Sequence, residues 1–248
     1  MSTTYDAELA EPAEDGLLCW FRGFCVDRRG GMASITILGG TGQQGRGLAQ
    51  RFAHAGLQVR VGSRDPDRAR ATVAGWAATN PPIEVADNAS AVERADLTIL
   101  AVPFPTVDEL LGELHPHFMD GALVIDVTVP VTFVDGKMGM IDVVEGSATE
   151  HVRARLPPAV RLAAAFKTVP AHLLGAGAEP LDCDEFVCGD SDGARSEAVA
   201  LVRLLAGLRP IDVGPLSRAR SIEHLTFLAI TINRRHKVHD ARFRVVGL

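Results

Sequence analysis

Residues 35–64, ITILGGTGQQGRGLAQRFAHAGLQVRVGSR, decide the fold. The run 35–38 is short, apolar and rich in branched residues, as a buried parallel strand requires. It leads into Gly40-Thr41-Gly42-Gln43-Gln44-Gly45, a G-x-G-x-x-G. In that pattern Gly40 takes the tight turn and Gly42 lets backbone approach a pyrophosphate. Gly45 lets a helix lie close on the strand, its N–H groups and dipole turned toward the phosphates. The helix that follows carries Leu48, Phe52 and Ala55 on its buried face and stops at Gly56. A second strand, 58–61, delivers Gly62, Ser63 and Arg64. The glycine motif alone is weak. With a strand before it, a helix after it and a second strand at the expected distance, it reads as a dinucleotide site.

The end of that second strand selects the nucleotide. A carboxylate there would bind ribose hydroxyls and repel a 2′-phosphate. The chain offers Ser63 and Arg64, with Arg68 one turn into the next helix, and a hydroxyl with guanidinium forks suits a phosphate dianion. Asp65 and Asp67 lie between them, but Asp65-Pro66 also reads as a helix start. NADP is the expected nucleotide.

The alternation continues downstream. Helical residues 67–78 are followed by a strand at 83–85, a brief helix at 88–95, a strongly apolar strand at 97–102, a helix at 106–114 and a strand at 122–127. This βα repetition predicts a Rossmann-type doubly wound parallel sheet, with ligands at the carboxyl ends of its strands. That puts Val102-Pro103-Phe104 and Asp126-Val127-Thr128 beside the glycine loop, where a nicotinamide would lie, with Phe104 either on that ring or in the core. Residues 136–146 read as a loop. Ser147-Ala148-Thr149-Glu150 forms a capping box for a helix to about 155. Strands are expected at 162–166, 185–188 and 210–213, helices at 197–205 and from about 217. The division expected is an N-terminal extension at 1–31, a nucleotide domain at 32–166 and a small C-terminal α/β domain at 167–248.

Composition excludes several classes. A length of 248 residues with 47% hydrophobic content supports a sizeable core. A net charge of −6 gives no reason to expect nucleic acid. No apolar run has the length of a membrane span, and nothing at the N-terminus resembles a signal peptide. Four cysteines do not make a disulfide framework here, so a reducing cytoplasm is expected. Cys183 and Cys188, a Cys-x4-Cys without a second pair, are not read as a metal site. Residues 1–15 are acidic and polar and read as disordered, while 17–26 carry Trp20, Phe21 and Phe24.

Four stretches together resemble the NADPH-dependent coenzyme F420 reductases: ILGGTGQQGRGLA (37–49), VGSRDPDRA (61–69), VCGDSDGA (187–194) and GLRPIDVGPLSRAR (207–220). The first two are shared with many Rossmann proteins; the last two, separated by one helix, are far more particular. The resemblance runs from about residue 34 to the end. It implies a homodimer and a deazaflavin, coenzyme F420, stacked on the nicotinamide in a cleft between the domains. It places Thr41, Gln43 and Gln44 in the phosphate loop and Ser63, Arg64 and Arg68 at the 2′-phosphate. Lys167 stands where the family segment has a histidine, and residues 233–237 are more basic than the family's. His236 and His239 lie in that basic tail. As the only ionisable group expected near the acceptor, Lys167 is the candidate catalytic cation, with a solvated strand-end lysine as the other reading. Reduction of ordinary flavins by NADPH, or nucleotide binding without catalysis, are the alternative functions.

Overall fold

Alternation along each strand sorts side chains onto two buried faces, and the sheet is covered on both. This computed structural model describes residues 34–79, 81–175, 177 and 179–248; the extension at 1–31 lies outside the described residues. The strands are β1 (Ser34–Leu38), β2 (Gln58–Ser63), β3 (Glu84–Asp87), β4 (Leu97–Leu100), β5 (Leu123–Asp126), β8 (Arg161–Ala164), β9 (Cys183–Gly189) and β10 (Leu208–Pro215). They form one sheet in the order β10-β9-β8-β5-β4-β1-β2-β3. Every pairing is parallel except β8 with β9, where only Ala163–Gly189 and Ala164–Cys188 are matched. The register of β10 on β9 breaks between Asp212 and Gly214. The pair at 131–140 is separate: β6 (Val131–Val134) and β7 (Lys137–Met140) form an antiparallel hairpin.

Ile35, Ile37, Ile99 and Ile125 face one side of the sheet, with Leu48 and Phe52 from helix α1 (Gln43–His54) and Leu201 from α7 (Asp192–Arg203). Leu38, Leu100, Val124 and Leu162 face the other, against α3 (Asn88–Glu93), α4 (Val107–Leu114) and α5 (Ala148–Arg153). Burying one such aliphatic side chain contributes roughly 1.5–3 kcal/mol. Helix α2 (Pro66–Ala74) starts at the expected Asp65-Pro66 but ends at Ala74, four residues short of the expected stop at 78. Ala55 is exposed, and Ala53 takes the buried place on α1.

The segment after β8 is stitched back onto the first half. Short helix α6 (Ala171–Gly175) packs on α1, where a Cβ on Gly47 would lie 2.5 Å from the Leu174 side chain. Buried Arg51 of α1 donates to the carbonyls of Leu174 (2.9 Å), Leu173 (2.8 Å) and Glu179 (3.0 Å). The long helix α8 (Ala219–His236) follows β10. Among the described residues no helix is long and apolar enough to cross a membrane.

Candidate active site

The chain turns out of β1 at Gly39. Its φ of +77° lies in the left-handed region, and a Cβ there would sit 2.4 Å from the Ala101 carbonyl oxygen. The tight turn expected at Gly40 is therefore made one residue earlier. Gly40 is small for another reason: a Cβ would meet Val61 at 2.8 Å. Gly45 is close-packed as expected, since its Cβ would lie 2.5 Å from the Gly39 carbonyl oxygen. Gly42 is the N-cap of α1 and no side chain caps that helix. The first-turn N–H groups are thus left for an anion, and the residues present fit a dinucleotide pyrophosphate.

From this turn a cleft of about 620 Å³ runs to the end of β2, lined by Thr41, Gly42, Ser63, Arg64, Arg68, Val102 and Pro103 among others. Arg64 and Arg68 are exposed, and neither guanidinium has a partner among the described residues. Asp65 is committed elsewhere: its carboxylate accepts the Arg68 backbone N–H at 3.0 Å and caps α2. Ser63 Oγ donates to the Asp65 carbonyl at 3.0 Å. The carboxylate beside the two arginines is thus a helix cap, and both guanidinium groups remain available for an anion.

A second cleft, about 450 Å³, meets the first at Ala101 and Val102. Its walls are Val127 to Val129, the turn 166–170, the hairpin through Val131 and Phe133, and α8 through Thr226, Ile230 and Asn233. Gln43 and Gln44 line this cleft and not the nucleotide one. Gln44 Nε2 donates to the Phe166 carbonyl at 2.7 Å. His172 and His239 stand at the same cleft, ring centroids 6.3 Å apart.

Two expectations need correction. Phe104 lines neither cleft, so of its two readings the core one holds and the nicotinamide one falls. The turn Phe104–Thr106 carries its ring to the face covered by α4 and α5, where it lies 5.0 Å from the His151 ring. Lys167 is neither a solvated lysine nor an ammonium facing the acceptor, because its side chain is 0% exposed. Its Nζ binds Asp126 at 2.7 Å, lies 3.4 Å from Glu223 and donates to the Thr128 carbonyl. Burial opposes the charged lysine, but Asp126 and Glu223 outweigh it and hold the pKa above the ordinary value.

Lys167 was also not the only ionisable group nearby. Asp126 accepts from Thr128 and Thr149, and Glu223 accepts the N–H groups of Ala148 (3.0 Å) and Thr149 (3.2 Å) at the start of α5. Asp126 was visible as a charge ending an apolar strand. Glu223 carried no such signal, since it arrives from a distant helix.

A doubly wound sheet with a glycine-turn nucleotide cleft opening into a second cleft defines a dinucleotide-dependent oxidoreductase. Residues 34–130 match the family model described as NADP oxidoreductase, coenzyme F420-dependent. The chain is 38% identical over 223 residues to the F420-dependent NADP reductase of Methanothermobacter thermautotrophicus, covering 86% of this chain and 95% of that one. It is 31% identical over 222 residues to the protein of the same name from Methanocaldococcus jannaschii, covering 86% and 98%. A solved structure, a putative F420-dependent NADP reductase from Arthrobacter sp. FB24, superposes with a TM-score of 0.72 at 24% identity, covering 86% of this chain and 98% of that one; at that identity it attests the fold. The chain belongs to the F420-dependent NADP reductase family.

Proposed function

We propose that the protein transfers hydride between NADP(H) and the deazaflavin coenzyme F420. The observation that carries this is the meeting of two clefts at Ala101–Val102, one of them ending in the guanidinium groups of Arg64 and Arg68, which have no partner among the described residues. The cofactors supply the chemistry, a hydride moving between nicotinamide C4 and deazaflavin C5. The chain's own work is binding, orientation and exclusion of water. Gly42 and the open start of α1 hold the pyrophosphate, and Ser63, Arg64 and Arg68 hold the 2′-phosphate. Thr41 lines the phosphate cleft, and Val102, Pro103, Val127 and Thr128 wall the nicotinamide side. Residues 32–166 form mainly the nucleotide side and 167–248 much of the acceptor side. The resemblance supports a homodimer, and cysteine usage supports a cytoplasmic setting.

The test is turnover of purified protein with NADPH and oxidised F420, followed by loss of NADPH absorbance, beside parallel reactions with FMN and with no acceptor. We expect oxidation that depends on F420. Turnover with FMN alone would reassign the acceptor, and none with either would leave nucleotide binding only.

A further inference from the structure

Glu185 lies two residues past the start of β9, with 0% exposure, and lines neither cleft. Its Oε1 accepts the Lys167 backbone N–H at 2.9 Å. Its Oε2 accepts those of Thr168 (3.2 Å) and Val169 (3.0 Å) and the Thr168 hydroxyl (2.8 Å). All these donors belong to one turn, and that turn is a wall of the second cleft. The turn is bent against local preference, because Phe166 has a φ of +59°, a region bulky residues seldom enter. Such a conformation persists only where its surroundings over-determine it. Gln44 takes the Phe166 carbonyl from one side, and Glu185 collects three successive N–H groups from the other.

A carboxylate is a costly group to bury, and among the described residues no cation is paired with this one. Burial raises the carboxyl and outweighs the Thr168 hydroxyl and the three N–H groups, which lower it, so that it stands at about 7. Among the described residues the hydrogen bonds of this carboxylate all go to the turn, so the group serves the turn. We propose that Glu185 is a positioning residue for hydride transfer, fixing the 166–169 turn so that the acceptor ring rests at transfer distance from the nicotinamide. This rests on the hydride-transfer reading above.

The test is Glu185→Gln in the full chain. The amide keeps the size but presents an NH₂ group to donors that need an oxygen. NADPH affinity, measured by fluorescence titration, should stay within about twofold of the parent, since the nucleotide cleft is built by other residues. Single-turnover hydride transfer to F420 should fall roughly 10- to 100-fold, the loss that a small misplacement of reacting groups produces. An unchanged rate, or a rate and an NADPH affinity that fall together, would overturn the proposal. If Glu185→Gln does not fold, Thr168→Val removes one donor alone and should slow the same step; an unaltered rate there would also overturn it. A parent protein that fails to reduce F420 overturns the hydride-transfer reading itself, and that result is in hand before any variant is compared.

Discussion

At the scale of single residues, Lys167 and Arg64 show how one charge type serves two ends. Among the described residues Lys167 is the one ammonium between Asp126 and Glu223, whose side chains are 0% and 1% exposed. Lys167→Met would leave both carboxylates buried without a counter-charge. Breaking a buried pair this way costs about 3–5 kcal/mol, to be read in a urea melt; a change below about 1 kcal/mol would mean that the carboxylates take up protons at no cost. Arg64 is the opposite case, exposed and without a partner among the described residues. A charge-assisted hydrogen bond contributes about 1.5–3 kcal/mol, so Arg64→Ala should weaken NADPH binding roughly 10- to 150-fold and leave NADH binding alone. Equal loss for both nucleotides would remove Arg64 from the 2′-phosphate site. Arg64 was legible because its role follows from its place after a strand. Lys167 was not, because its partners come from β5 and α8, and no local pattern announces a contact across such distances in sequence.

At the scale of elements, the sequence spoke clearly wherever a period and a stop coincided. β1, α1 and β2 follow from residues 35–64, and the Ser147 cap begins α5 as expected: its hydroxyl accepts from the Glu150 N–H. The hairpin was missed although its signal was present. Val131 to Val134 precede Asp135-Gly136, and both turn residues have positive φ, +49° and +73°. That is the pairing a two-residue hairpin turn requires. α6 is too short to show a period at all. β9 misled in a different way. Site residues in open α/β sheets are sought at carboxyl ends of strands, but β9 runs opposite to β8, so its amino half lies behind the 167–169 turn that walls the cleft. Glu185 was read only as the first residue of a strand, and nothing marked it as a neighbour of the acceptor wall.

At the scale of the whole molecule, the two halves share a sheet. Strands β9 and β10 extend the one begun by β1, and Arg51 of α1 holds three carbonyls beyond β8. Unfolding should therefore be a single cooperative event, seen as one calorimetric peak with equal calorimetric and van't Hoff enthalpies; two resolved peaks would mean that residues 167–248 come apart alone. The outer strands of this sheet, among the described residues, are β3 and β10. An unpaired strand border is a template on which other chains can aggregate. β3 is four residues long and follows Pro81-Pro82. β10 contains Pro210, which has no N–H to give, and its register breaks at Asp212–Gly214. The irregularity that interrupts β10 thus also denies a flat border to incoming strands.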